Sequence, residues 1–216
     1  MNLLKRNDAT LASTIVLATR NEHKVIEIRD ALAGMPIQIS SLLDFPDAPE
    51  LAEDGKTLEA NATKKALTIH RYTNLPTIAD DTGLMVEALN GVPGVYSSRF
   101  AGPHATYADN VEKLLRLLEG IPSAQRTAEF RTVIAFALNG KTHLVDGRCR
   151  GLITFAPRGR GGFGYDPVFL VPELNKTLAE LTLAEKNQIS HRGRALVAFK
   201  ALLSKLQSDP TGEQNG

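Results

Sequence analysis

Four stretches of this chain combine residue types that could do chemistry. The first is the turn Thr19-Arg20-Asn21-Glu22-His23-Lys24, which leaves a β-branched apolar run and opens a helix. A strand-to-helix turn aims backbone N–H groups and the positive end of the helix dipole at whatever lies above the strand, which suits phosphate. Lys24 would add a point charge one turn in. The same spacing also fits an ordinary loop with a surface lysine, because the glycine-rich Lys-Ser/Thr phosphate signature is missing. The second stretch is Asp80-Asp81-Thr82-Gly83. Adjacent carboxylates at the end of a strand are costly unless a cation neutralises them, and oxygen-rich sites suit Mg²⁺. Glu50, Glu53 and Asp54, one helix earlier, favour such a centre. An Asx-turn with one capping aspartate is the other reading.

Gly159-Arg160-Gly161-Gly162-Phe163-Gly164 matches the dinucleotide fingerprint, but no helix can open into Tyr165-Asp166-Pro167, and no βαβ unit surrounds it. What the loop does offer is close backbone approach, a stacking face on Phe163, and charge on Arg158 and Arg160. A flexible surface loop would look the same. The fourth stretch is Lys186 with Ser190-His191-Arg192-Gly193-Arg194. Cations gathered at a helix N-terminus oppose the dipole, so the cluster calls for an anionic or acceptor-rich partner. A solvated basic face is the alternative.

These groups need elements to hold them. Thr14 to Ala18 has the length and character of a buried strand, followed by a helix over Glu22 to Ala33 that Gly34 and Pro36 stop. Ile37 to Ser40 reads as a second strand and Asp44 to Lys56 as an acidic loop. Thr57 is placed to cap a helix to about Tyr72. A short strand, Pro76 to Ala79, is expected to end in the two aspartates. Tyr107 to Glu119 is an amphipathic helix. Ala128 to Leu138 and Thr142 to Ile153 are antiparallel strands on an Asn-Gly turn. Val168 to Val171 is a strand, and Ser190 to Leu206 the last helix. Strands alternating with helices predict an α/β fold, and the hairpin makes its central sheet mixed, partly antiparallel.

Composition narrows the classes. The chain has 216 residues, 43% of them hydrophobic and 23% charged, which fits one large globular domain and excludes a disordered or fibrous protein. With 25 basic and 24 acidic side chains, there is no field to hold a nucleic-acid backbone non-specifically. One cysteine excludes an intrachain disulfide. The longest apolar run, Val133 to Leu138, is far short of the ~20 residues that span a bilayer. Lys5 and Arg6 precede no apolar stretch of signal-peptide length, so a cytoplasmic location is expected. The expected boundaries are a flexible extension over 1–13, one domain over 14–207 and a disordered tail over 208–216.

Taken in order, the segments IVLATRNEHK, EDGKTLEANATKKA, LPTIADDTGLMVEALNGVPGVYSSRFAG, GGFGYDPVF and AEKNQISHRGRAL resemble the inosine triphosphatase (Ham1/RdgB) family of non-canonical purine nucleoside triphosphate pyrophosphatases. The resemblance spans Ile15 to about Leu203. It implies an elongated, two-lobed ITPase-like domain and a homodimer. It also implies Mg²⁺-dependent hydrolysis of dITP, ITP and XTP to the monophosphate and pyrophosphate, which clears deaminated purines from the nucleotide pool. By the same resemblance, Thr19, Arg20, Asn21, Glu22, His23 and Lys24 hold the triphosphate, with Thr82 beside them. Glu53 and Asp81 are the metal carboxylates, and Asp81 is also the general base. Phe163 stacks on the base, while Gly164, Tyr165, Asp166, Lys186, His191 and Arg192 surround it. A 6-oxo purine presents an acceptor where adenine presents a donor, so donors there favour inosine and xanthosine over adenosine.

Three positions depart from the family pattern. Arg20 replaces glycine and is expected to fold over the phosphates as an extra cation, because Lys24 alone leaves a triphosphate under-neutralised. Thr82 replaces serine and keeps the hydroxyl. Ala60 stands where glutamate is usual, leaving Asn61 and Glu59 nearby and putting metal affinity in question. Loss of activity, leaving a nucleotide-binding module, is the competing reading of Arg20 and Ala60. Asp80, Asp81, Lys24 and the His-Arg pair argue for an enzyme.

Overall fold

Residues 14–208 are described by a computed structural model, in which an eight-stranded mixed sheet carries helices on both faces. In chain order the main elements are β1 (Thr14–Leu17), α1 (Glu22–Ala31), β2 (Gln38–Ser41), α2 (Leu58–Thr73), β3 (Thr77–Val86), β4 (Pro93–Gly94) and α3 (Tyr107–Leu117). Then follow β5 (Thr127–Leu138), β6 (Lys141–Ile153), β7 (Phe169–Val171), β8 (Lys176–Thr177), α4 (Leu183–Ile189) and α5 (His191–Ser208). The strand order is β2-β1-β3-β5-β6-β7-β8, with β4 paired to β3. β1 runs parallel to β2 and β3, and every other pairing is antiparallel. The expected extension over 1–13 and the tail from 209 onward lie outside the described residues.

Alternation along the strands divides the core. Ile15, Leu17, Ile78, Ile134 and Phe136 face α1 and α5, packing against Val25, Ile28, Leu196, Phe199 and Leu203. Their sequence neighbours Val16, Ala18, Ala79, Val133, Ala135 and Ala137 face α2, where Ala62, Ala66 and Ile69 meet them. Small side chains on that second face bring α2 close to the sheet. A third cluster joins α3 to the far halves of β3 and β5 and to β7 through Leu84, Val86, Val111, Leu114, Phe130 and Phe169. On the α5 side, a side chain at Gly147 of β6 would collide with the backbone of His191 and Ala195, so glycine there sets how closely α5 lies on the sheet. The β5–β6 turn places Asn139 and Gly140 at φ 50° and 76°, as a two-residue hairpin turn requires.

Two expectations are corrected. β3 does not stop at Ala79. It runs through Asp80-Asp81-Thr82-Gly83 to Val86, laddered to β5 from Thr77↔Ala137 to Val86↔Ala128. The aspartates are mid-strand, not in an Asx-turn, because each has cations on its own face. The last helix is also preceded by α4, capped by a reciprocal Thr182–Glu185 box. That Thr-x-x-Glu spacing is legible in the sequence.

Candidate active site

The two-residue alternation of β3 places Asp80 and Asp81 on opposite faces of the strand. On the α2 face, the Asp81 carboxylate accepts from Lys65 Nζ at 2.9 Å and from Asn61 Nδ2 at 3.1 Å. Lys65 Nζ also donates to Glu53 Oε1 at 2.7 Å, so one buried ammonium joins both carboxylates. Arg99 fastens the acidic loop by donating to the Glu53 carbonyl at 2.6 Å. Burial pushes the Asp81 pKa up, with the Glu53 charge helping and the Lys65 ammonium opposing. The result is a carboxylate more basic than usual. Glu59 points elsewhere, pairing with Arg131 at 2.7 Å, and Asp54 turns outward to Lys64.

On the opposite face, Asp80 accepts from Lys24 Nζ at 3.0 Å and from Arg192 Nη2 at 3.0 Å. Burial alone would raise its pKa. Lys24 and Arg192 overcome that and hold it far below the carboxylate range. Arg192 continues to Glu27 at 2.6 Å, Glu27 to Lys186 at 2.5 Å, and Lys186 to Asp166 at 2.5 Å. This buried chain of alternating charges links α1, β3, the Gly-rich loop, α4 and α5. The basic cluster is therefore a buried network and not a solvated face. Thr82 accepts from Arg192 Nη2 at 3.2 Å and is 2.6 Å from Thr132 Oγ1.

Between these groups lies a cleft with about 740 Å³ of space free of protein atoms, part of it open to solvent. Asn21, Lys24, Glu53, Asp81 and Thr82 line it together with Phe163, Gly164, Tyr165, Asp166, His191 and Arg192. Phe163 is stacked on the exposed His23 ring, with centroids 5.2 Å apart and 12° between planes. Lys186 Nζ and the Arg192 guanidinium lie 5.1 and 5.3 Å from the Phe163 ring. The Phe163 N–H donates to Asp166 Oδ2 at 2.8 Å, which holds the loop to the network. His191 is buried, stacked on Phe130 at 4.4 Å, and its Nδ1 has no hydrogen-bond partner among the described residues. Burial, reinforced by Arg192 and Lys186, depresses its pKa well below 6.5, so the ring is neutral.

Several expected roles take a different form in the structure. The N–H groups of Asn21, His23 and Lys24 are bonded inside the turn, to Thr19 Oγ1 and to the Asn21 side-chain oxygen. The turn therefore offers the Lys24 ammonium, not those N–H groups. Arg20 does not fold over the cleft. It holds an ordinary φ and donates to the carbonyls of Pro46 and Ala48 at 3.3 and 3.0 Å, clamping the acidic loop. Glu22 is exposed at the start of α1 and does not line the cleft. Tyr165 gives its hydroxyl proton to Ser97 O at 2.9 Å and serves as wall. Arg192 spends most of its N–H groups on Asp80, Glu27 and Thr82. Among the charged residues of the site, Glu27 and Lys65 were not picked out from the sequence. Both betray themselves as charges beside an apolar stripe: Glu27 next to Ile28, and Lys65, four residues after Asn61, next to Ala66.

Among the described residues, no three His, Cys, Asp or Glu side chains converge as metal ligands. Glu53 and Asp81 do converge as a pair on one cation, Lys65. Mg²⁺ in phosphate-transfer sites is held by one or two carboxylates together with substrate phosphates and water, so the pair fits.

An α/β sheet carrying paired carboxylates, a lysine at a helix start and an aromatic platform around one cleft defines a nucleotide-handling protein. The chain belongs to the Ham1 family, whose model matches residues 15–202. It is 53% identical over 183 residues to the dITP/XTP pyrophosphatase of Geobacillus kaustophilus, covering 84% of this chain and 90% of that one. It is 51% identical over 191 residues to the dITP/XTP pyrophosphatase of Thermoanaerobacter pseudethanolicus, covering 88% and 96%. Its fold matches the structure of a HAM1 protein from Coxiella burnetii with a TM-score of 0.80 and 42% identity, over 89% of this chain and 98% of that one.

Proposed function

We propose that this chain hydrolyses non-canonical purine nucleoside triphosphates, dITP, ITP, XTP and dXTP, to the nucleoside monophosphate and pyrophosphate. The observation that carries the reading is the convergence of Glu53 and Asp81 on one cation, in the same cleft that Phe163 lines. The named activity of relatives at about half identity supports it. Glu53 and Asp81 would hold Mg²⁺, and the ion would supply positive charge against the charge that develops on the leaving pyrophosphate. Asp81 takes the proton of a water aligned for in-line attack at the α-phosphorus. Lys24 holds the polyphosphate, and Lys65 keeps the two carboxylates in place.

Phe163 stacks on the purine, and neutral His191 with the Gly164 backbone reads its edge. The unpartnered His191 Nδ1 supports that role. No helix among the described residues is long and apolar enough to cross a membrane. A homodimer in the cytoplasm, with no nucleic-acid partner, completes the reading. The test is a panel of ITP, XTP, GTP and ATP with Mg²⁺, assayed for pyrophosphate and monophosphate. ITP and XTP should yield pyrophosphate, and orthophosphate as the main product would refute attack at the α-phosphorus.

A further inference from the structure

Tyr107 is the first residue of α3 and contributes to the cleft lining, yet no motif pointed to it. Its hydroxyl accepts a hydrogen bond from Asn21 Nδ2 at 2.9 Å, joining residues 86 apart in the chain. Its ring lies 5.8 Å from Phe163 and 6.4 Å from His23, tilted to both. It thus touches both the turn that carries Lys24 and the Phe163 ring. A nucleotide with its base on Phe163 and its phosphates at Lys24 must lay its sugar and first phosphate between those two places.

The side chain is held for such a task. A reciprocal Thr106–Asp109 box caps α3. Asn110 accepts from Ala101 N at 2.7 Å and donates to Ser98 O at 3.1 Å. Val111 and Leu114 are buried in the third core cluster. Asn21 Oδ1 is committed to the His23 and Lys24 N–H groups, so its amide can only donate to Tyr107. The tyrosine oxygen is therefore an acceptor toward Asn21, and its own proton has no acceptor among the described residues.

Resting on the nucleotide reading above, we propose that Tyr107 is a substrate-binding residue whose hydroxyl donates to the sugar–phosphate part of the bound nucleotide. Tyr107→Phe removes the donor and keeps the ring. KM for ITP should rise about tenfold with kcat within about twofold, the pattern of a contact made equally in ground and transition states. By calorimetry IMP, which carries the sugar and first phosphate, should bind Tyr107→Phe weaker by the same factor, while inorganic pyrophosphate binds unchanged. An unchanged KM and IMP affinity would overturn the proposal. So would an equal loss for pyrophosphate, which would mean that Tyr107 merely orients the Asn21 turn. A wild-type chain that binds IMP but releases no pyrophosphate from ITP would overturn the proposed reaction, and Tyr107 would then be judged on IMP alone. If wild type binds neither nucleotide, both readings fall.

Discussion

Asp80 and Asp81 are neighbours in the chain and lie on opposite faces of the sheet, each neutralised by a different set of helices. Asp80 meets Lys24 of α1 and Arg192 of α5; Asp81 meets Asn61 and Lys65 of α2. The two-residue period of β3 turns one acidic pair into two separate jobs. Asp80 closes the buried charge network, and Asp81 faces the cleft beside Glu53.

Asp80 should therefore be a stability residue. Asp80→Asn leaves Lys24 and Arg192 short of an anion in a buried site, a loss of about 3–5 kcal/mol at pH 7 by denaturant unfolding. Because its folded pKa is depressed, the stabilisation is complete above the unfolded value near ~3.9 and is lost as pH falls below it. Wild type and variant should converge as the pH falls below about 4. A gap that is constant with pH would mean that Asp80 contributes no linkage.

The activity should belong to Asp81. Asp81→Asn is nearly isosteric and Lys65 keeps Glu53 as a partner, so the fold survives. Without the base, kcat for ITP should drop by ~10² or more. A folded Asn variant with unchanged kcat would place the base elsewhere.

The distribution of these roles was only half legible in the sequence. β1, α1, α2, α3 and the β5–β6 hairpin follow from periodicity, caps and the Asn-Gly turn, because those signals are local. The extent of β3 does not, since two adjacent carboxylates read as a turn until Lys24, Lys65 and Arg192 are known to flank them. Those partners come from elements up to 112 residues away. For the same reason the sequence left open whether the cluster at Lys186, His191 and Arg192 was solvated or paired: its anions, Glu27 and Asp166, are brought to it by tertiary packing.

At the base end, stacking and edge reading should separate. Phe163→Ala should weaken ITP and XTP together by about 1–3 kcal/mol, because stacking ignores exocyclic groups. His191→Gln should instead narrow the preference for ITP over ATP, read as the ratio of kcat/KM values. If both variants shift every nucleotide equally, the division of labour is wrong.

The clamp made by Arg20 gives the last expectation. Glycine at this position would be needed if the turn required positive φ, but Arg20 holds an ordinary backbone angle, so the arginine causes no strain. Its guanidinium lies on the carbonyls of Pro46 and Ala48, at the start of the loop that delivers Glu53. An arginine reaching over a triphosphate would be a charge–charge contact, weakened as salt shortens the screening length. A clamp on neutral carbonyls has little such dependence. Arg20→Gly should therefore change KM for ITP by no more than about twofold, alike at low and high salt, because the two hydrogen bonds it removes hold the loop and not the substrate. The cost should appear in the loop: faster proteolytic cleavage between residues 44 and 56 and a small loss of Mg²⁺ affinity, since Glu53 is less firmly held. A large rise in KM that shrinks with added salt would show that Arg20 leaves these carbonyls for the phosphates when substrate binds.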